Sequence, residues 1–443
     1  MKIFKRLAWA VVSAVLAISL SGCVMTVDQM YVPPRRSESY RNLQAVMDEF
    51  MTGLEYCAPI AGENQQTVQM ADLNGDGLKE VMVFVKGSDE RPLKILIFRL
   101  EGGEYVPLSV LEAAGTAYDQ VEYIQLDGKP GLELVVGRQV SDLVMRNLTI
   151  YRFSGGQPEQ LLTVNYQKFL TLDMGGDGLS DLFVLHPGQT ENDCGVVELY
   201  SMQEGTVTKS PEVNLSQSVS KLKRIMTGSL HGGEKAVFVA SSVDDASIVT
   251  DVYALVDGKL TNVSMSNESG TSVKTVRNYY VYAEDIDGDG VLELPSLISM
   301  RWPQEGRSTE EREHLIRWYA LGADGAEYDK RYTYHNYLQG WYMEVDGQQA
   351  NRLCVVPEDT GRFAFCLWDR KFQKLEKLWT VYVLTGEDRS SAATEENRFL
   401  LHKTDSVVYA AQLEDAGVLA GITQERLIGT FFLIQSDWKT GEM

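Results

Sequence analysis

Three stretches of this chain carry oxygen-bearing side chains at alternate positions. In Asp285-Ile286-Asp287-Gly288-Asp289-Gly290-Val291-Leu292-Glu293 the carboxylates fall at positions 1, 3, 5 and 9. Asp72-Leu73-Asn74-Gly75-Asp76-Gly77-Leu78-Lys79-Glu80 repeats the pattern, and Asp173-Met174-Gly175-Gly176-Asp177-Gly178-Leu179-Ser180-Asp181 repeats it less completely, with Gly175 at position 3. A hard cation takes six to eight oxygen ligands, and alternate side chains with glycines that let the backbone curl can supply them. The chemistry expected is therefore calcium binding at two or three structural sites. A helix-flanked EF-hand is disfavoured, because the glutamate at position 12 is missing and the following residues read as strand.

A further loop, from Gln125 to Glu133, has Gln125 at position 1 and Lys129 at position 5. It is expected to hold no ion, with an ammonium such as that of Lys129 taking the cation's place. The residues around Gly228 to Val237 keep the following apolar strand and none of the carboxylates.

Other chemistry is thinly represented. The histidines His186, His231, His314, His335 and His402 show no metal-ligand spacing. Ser218-Val219-Ser220-Lys221 matches a minimal S-x-x-K pattern without its companion motifs. No G-x-S-x-G elbow or phosphate-binding P-loop occurs, and the 62 acidic residues leave a glycosidase-like carboxylate pair open.

The loops sit inside a larger repeat. An aromatic residue precedes a glycine turn five times, at Phe98, Tyr151, Tyr200, Tyr253 and Tyr319. Each repeat of about fifty residues divides into four short strands, with the acidic loop between the first two. That pattern describes the blades of a β-propeller. The fold expected is mainly β, a propeller of about five (five to seven) four-stranded blades followed by a small α+β C-terminal domain.

The acidic loops, each followed by an apolar strand, resemble the FG-GAP and VCBS repeats of integrin-type propellers and bacterial surface proteins over residues 60–335. The resemblance implies calcium ligands at Asp72, Asn74, Asp76 and Glu80; at Asp173, Asp177 and Asp181; and at Asp285, Asp287, Asp289 and Glu293. It also implies that the backbone carbonyls of Leu78, Leu179 and Val291 complete the sets.

The elements outside the repeat give the chain an address. Lys2, Lys5 and Arg6, the apolar run Leu7 to Leu20, and Leu20-Ser21-Gly22-Cys23 resemble a bacterial lipoprotein signal with a lipobox. Residues 1–22 are then a signal peptide, Cys23 the lipidated residue and 23–40 a tether. Residues 41–335 form the propeller with a leading helix, and 336–443 the small α+β domain. The rival reading makes 341–380 a sixth, degraded blade. Within it Cys354 and Cys366 fall opposite each other across a hairpin, as a disulfide or as two thiols.

A net charge of −21 repels phosphates and argues against nucleic acid. It suits a solvated protein outside the cytoplasm, anchored to a membrane through Cys23. Two functions remain in view. One is a calcium-stabilised binding or scaffold protein presenting a face to an extracellular protein or glycan, with Trp302, Trp318, Trp341 and Tyr342 as contact residues if exposed. The alternative is a polysaccharide-acting hydrolase or lyase using the propeller channel.

Overall fold

The structure, a computed structural model, describes residues 38–140, 146–190, 192–245, 247–278, 281–300, 314–395 and 397–434. The expected signal peptide, Cys23 and Trp302 lie outside the described residues. Among those residues no helix is long and apolar enough to cross a membrane.

Continuous apolar runs make the central strands. Glu80–Lys86, Glu133–Gln139, Asp181–His186 and Lys235–Ser242 are buried along most of their length, as strands covered on both faces must be. Antiparallel neighbours pair with them in chain order, because short glycine turns such as that at Gly102 and Gly103, both at positive φ, return the chain directly.

Among the described residues six antiparallel sheets of four or five strands result. The first two run Glu55–Tyr56 to Glu104–Ala113 and Ala117–Ile124 to Gln157–Tyr166. The third and fourth run Lys168–Leu172 to Val213–Asn214 and Leu222–Ser229 to Lys259–Asn262. The fifth takes Leu294–Ser299, His314–Leu321, Glu327–Asn336 and Trp341–Glu344, and closes with Phe431–Leu433 near the end of the chain. The sixth comprises Leu353–Asp359, Arg362–Asp369, Lys374–Leu384, Val408–Leu413 and Phe399–Lys403.

The chain falls into two compact units. One contains Gln66–Ala71, Gly77–Ala114 and the chain up to Ala58, and so holds the first sheet. In it the helix Glu38–Phe50 lays Leu43 and Met47 on Val81, Val83, Val85, Leu96 and Phe98, with Phe50 edge-on to Phe98 at 5.8 Å. Each such side chain contributes about 1.5–3 kcal/mol of burial free energy.

The other unit contains Pro59–Gln65, Asp72–Asp76 and Gly115–Met443. Its consecutive sheets share cores. Val135 and Ile150 pack with Phe169 and Val184, Phe183 and Leu199 with Val237 and Tyr253, and Phe238 and Val252 with Leu294 and Tyr319. Trp341 and Tyr334 pack with Phe365 and Trp379.

The propeller expected from the repeats is not what these sheets make. They are six separate open sheets with free edges, and among the described residues none is closed on itself. A recurring four-strand pattern dictates hairpin order within a sheet, whereas closure depends on contacts that no single repeat encodes. The end of the chain does form a small α+β region, with the short helices Arg389–Ala392, Asp415–Leu419 and Gln424–Gly429 beside the sixth sheet. The 335/336 boundary falls inside the fifth sheet, where Asn336 pairs with Trp341 and Tyr334 with Met343. Cys354 and Cys366 are directly opposed across their hairpin and are both buried free thiols.

Candidate metal-binding loops

Each acidic stretch joins the first two strands of a sheet or leads into its first strand, and a common hydrogen-bond scheme sets its shape. The position-1 side chain accepts the position-4 amide: Gly75 N to Asp72 Oδ1 at 2.7 Å, Gly128 N to Gln125 Oε1 at 3.1 Å, Gly176 N to Asp173 Oδ1 at 2.6 Å and Gly288 N to Asp285 Oδ1 at 2.8 Å. The position-9 carboxylate accepts the position-2 amide in three loops: Leu126 N to Glu133 at 2.8 Å, Met174 N to Asp181 at 2.9 Å and Ile286 N to Glu293 at 3.1 Å.

Main-chain bonds also tie loops to one another. The position-8 amides of Leu132, Ser180 and Leu292 donate to the carbonyls of Asp72, Gln125 and Ser229. The fit is tight where Gly131, at φ +98°, faces the Leu73 carbonyl, since a Cβ there would stand 2.5 Å from that oxygen.

What differs among the loops is the cation. In 125–133 the guanidinium of Arg152 pairs with Asp127 and lies 3.6 Å from Glu133 Oε1, with all three side chains largely buried. Lys129, the cation expected there, is mostly exposed and stands 3.5 Å from Asp127. A planar guanidinium satisfies two carboxylates at once, which an ammonium on a flexible stem does less well.

Strand register explains the placement. The residue after each recurring aromatic lies opposite position 9, because Tyr151 pairs with Leu134, Tyr200 with Leu182 and Tyr319 with Leu294. Arg152 thus faces Glu133, Ser201 faces Asp181 and Ala320 faces Glu293. In the first sheet Phe98 pairs with Val81, so Arg99 faces Glu80. In the fourth sheet, which lacks the carboxylates, Ala254 faces Ala236.

The loop 285–293 is the most strongly anionic. Single carboxylate oxygens of Asp285, Asp287 and Asp289 lie within 4.8 Å of one another, and among the described His, Cys, Asp and Glu side chains no other group converges so closely. This cluster could hold a divalent cation. Asp285 accepts the amides of Gly288, Asp289 and Gly290 at 2.8–3.0 Å, which aims its carboxylate into the loop.

Glu293 is fully buried and outside that cluster. Burial, with Asp287 and Asp289 adding repulsion, pushes its carboxyl up to about 7. Asp287 Oδ1 and Glu293 Oε1 are both buried and accept no hydrogen bond. Buried oxygens without donors are costly, and a metal ion removes that cost.

Two side chains of the strand Glu327–Asn336 face this loop. Lys330 pairs with Asp289 Oδ2 and stands 3.9 Å from Glu293 Oε1, while Arg331 lies 3.8 Å from Asp287 Oδ2. The Lys330 bond draws the Asp289 carboxyl below its usual range.

In the loop 173–181 Asp173 accepts three backbone amides and Asp177 accepts that of Leu179, the same bonds that Asp285 and Asp289 make in the loop 285–293. Asp181 is buried at the first residue of its strand, and burial raises its carboxyl despite the Ser201 hydrogen bond. In the first loop Asn74 accepts the Asp76 amide at 2.8 Å. Leu78 is exposed, and Glu80 opens the strand Glu80–Lys86, where it is buried. Leu179 and Val291 lie at position 7 of their loops, each donating its amide to the position-5 aspartate.

The remaining expectations fare unevenly. Trp318 and Trp341 are core residues, 1% and 0% exposed, and Tyr342 is half-buried and stacked on Phe432 and His335. They do not make an exposed aromatic face. Lys221 bonds to Gln217 and to the Val243 carbonyl, while Ser218 caps the short turn Val219–Lys221. The signal missed in the sequence was the residue after the aromatic, where Arg152 stands. Lys330 and Arg331 carry no local motif and come from a strand more than forty residues beyond Asp285.

These features define a mainly β protein with acidic inter-strand loops, one of which gathers three aspartates. No protein-family model and no curated protein matches the chain. Among solved structures it is similar to rhamnogalacturonan lyase YesW, at 13% identity, covering 81% of this chain and 72% of that one with a TM-score of 0.32. Sqt1 from Chaetomium thermophilum matches at 12% identity over 74% of each chain, TM-score 0.33. Sqt1 of Saccharomyces cerevisiae matches at 10% over 81% of this chain and all of that one, TM-score 0.29.

Likenesses this loose transfer no activity. The resemblance to the FG-GAP and VCBS repeats of surface lipoproteins is overturned, since no family model matches the chain and, among the described residues, no sheet closes on itself. An acidic glycine loop between antiparallel strands is a local solution that unrelated chains reach.

Proposed function

We propose that this protein is a calcium-stabilised binding protein that works outside the cytoplasm on a protein or glycan partner, held to a membrane through a lipid on Cys23. The observation that carries the calcium part is the convergence of Asp285, Asp287 and Asp289 beside two buried oxygens that accept no hydrogen bond. Calcium suits an all-oxygen donor set on a flexible loop better than zinc, which prefers nitrogen and sulfur. The strongly acidic composition supports a location where calcium is plentiful and argues against nucleic acid as partner.

The test is calorimetric titration of the metal-stripped protein with calcium, alongside a thermal melt. Binding with a rise in melting temperature is the expected result. No binding at millimolar calcium would remove the metal from the reading. Incorporation of labelled palmitate, lost in Cys23→Ser, tests the anchor.

A second reading, cleavage of a polysaccharide, is favoured by one cleft. It measures about 380 Å³ and is lined by Glu268, Lys274, Tyr319, Asp324 and Glu327 with residues 263–267. Glu327 is held by Arg317 at 2.8 Å, and Glu268 and Asp324 are exposed. Carboxylates across a polar groove could serve as acid and base toward a sugar chain. Incubation with a panel of neutral and uronate-containing polysaccharides, followed by reducing-end and ultraviolet product assays, separates cleavage from binding alone. Products that disappear in Glu268→Gln or Asp324→Asn would favour the enzyme.

A further inference from the structure

We propose that Lys330 is a tethered ammonium that occupies the loop 285–293 in place of a divalent cation, and that metal binding there is an exchange in which this ammonium leaves. The inference rests on the calcium reading of the same loop.

Lys330 reaches two of the loop's four carboxylates, one of them in the aspartate cluster. Its Nζ holds Asp289 Oδ2 and approaches Glu293 Oε1 at 3.9 Å, so it sits between the carboxylates of positions 5 and 9. The other Asp289 oxygen already accepts the Val291 amide at 2.9 Å. The oxygen held by Lys330 is therefore the one left to turn toward an ion. Glu293 is fully buried and its Oε1 accepts no hydrogen bond, which an ammonium at this distance leaves uncorrected and a multiply coordinated cation would not.

The same chain shows the permanent form of this arrangement. In the loop 125–133 Arg152 pairs with Asp127 and faces Glu133, from the register position that holds Ala320 in the fifth sheet. Where that position is small, the cation comes from the neighbouring strand on a long, flexible stem. A lysine is a point charge on a stem with four rotatable bonds with which to leave, whereas a planar guanidinium held between two carboxylates is pre-organised to stay. Lys330 can withdraw without disturbing the strand, since its side chain retains some solvent exposure and Asp289 is exposed.

The experiment compares calcium titrations of the metal-stripped wild-type protein, Lys330→Gln and Lys330→Arg, with Asp287→Asn as the loop control. Exchange predicts that Lys330→Gln binds calcium at least tenfold more tightly than wild type. It predicts that Lys330→Arg binds no more tightly than wild type and that Asp287→Asn binds little.

Equal or weaker binding by Lys330→Gln, with wild type still binding, overturns the exchange and leaves the calcium reading standing. Binding by neither protein overturns both. A second measurement avoids any folding defect in the variants: mass spectrometry of amine acetylation at Lys330 in the wild-type protein. Faster acetylation with calcium than with magnesium-free, calcium-free buffer supports release of the ammonium, and an unchanged or slower rate overturns it.

Discussion

The loops 125–133 and 285–293 share a backbone plan and differ in what neutralises them. Both use the position-1 side chain to hold the position-4 amide and the position-9 glutamate to hold the position-2 amide. In the first, a buried guanidinium is part of the fold. In the second, an ammonium from another strand meets one of three converging aspartates. The comparison teaches that the turn and its charge balance are separable. Glycines and a few amide bonds build the loop, and the residue opposite position 9 decides whether the cation is built in.

The largest expected effect comes from removing the built-in cation. Arg152→Met leaves Asp127 and Glu133 buried without their partner, a change that costs about 3–5 kcal/mol. A urea melt should show the loss, and adding Asp127→Asn to the same protein should recover part of it. If Arg152→Met instead melts like wild type, Arg152 is not the loop's counter-ion and the contrast collapses.

The counterpart in the other loop is smaller and depends on metal. At a hundredfold excess over its dissociation constant calcium should stabilise the wild-type protein by about 2.7 kcal/mol. Asp285→Asn should abolish that increment, because Asp285 accepts three amides and belongs to the aspartate cluster. Arg152→Met should keep the calcium increment despite its lower starting stability. Loss of the calcium effect in Arg152→Met as well would mean that the loops act as one cooperative element.

Acid stability must be separated from these charge effects, since the strand that carries Lys330 also carries His335. His335 is buried against Tyr342, with ring centroids 4.8 Å apart, and burial drives its imidazole down to about 3. The unfolded chain takes up the proton near pH 6.5 and the folded chain does not. This contribution to stability is therefore full above pH 6.5 and is lost as pH falls from 6.5 toward 3, at up to about 1.4 kcal/mol per pH unit. His335→Phe should flatten the melting temperature between pH 6.5 and 5 relative to wild type. Equal slopes in the two proteins would assign the acid sensitivity to the carboxylate loops.

Much of this was legible in the sequence, and the illegible part has a physical cause. Alternating acids with glycines located all four loops, and the recurring aromatic located one inner strand in each of the first five sheets. Those signals are local, within nine residues or one hairpin. The occupant of each loop is not local. Arg152 reaches Glu133 across a strand pair, and Lys330 reaches Asp289 from a different hairpin, so only register and packing reveal them. The sheet count and the open edges were missed for the same reason, as was the return of Phe431–Leu433 to pair with Trp341–Glu344. Whether Trp318 and Trp341 were free for a partner was open in the sequence, because burial is a property of the packed sheets and not of the residue type.

The finest test transplants the built-in cation. Ser201 occupies in the third sheet the register position that Arg152 occupies in the second, and its hydroxyl bonds Asp181 where Arg152 meets Glu133. Ser201→Arg places a guanidinium opposite a buried carboxylate whose charged form burial already disfavours. The stability change should be small, within about 1 kcal/mol, because the new ion pair gains attraction and loses solvation in similar measure. Its value lies in stoichiometry. If the loop 173–181 binds calcium, calorimetry on Ser201→Arg should count one ion fewer than wild type, with the loop 285–293 unaffected. An unchanged count would show that the loop 173–181 holds no ion and that the ions bound lie in the other loops.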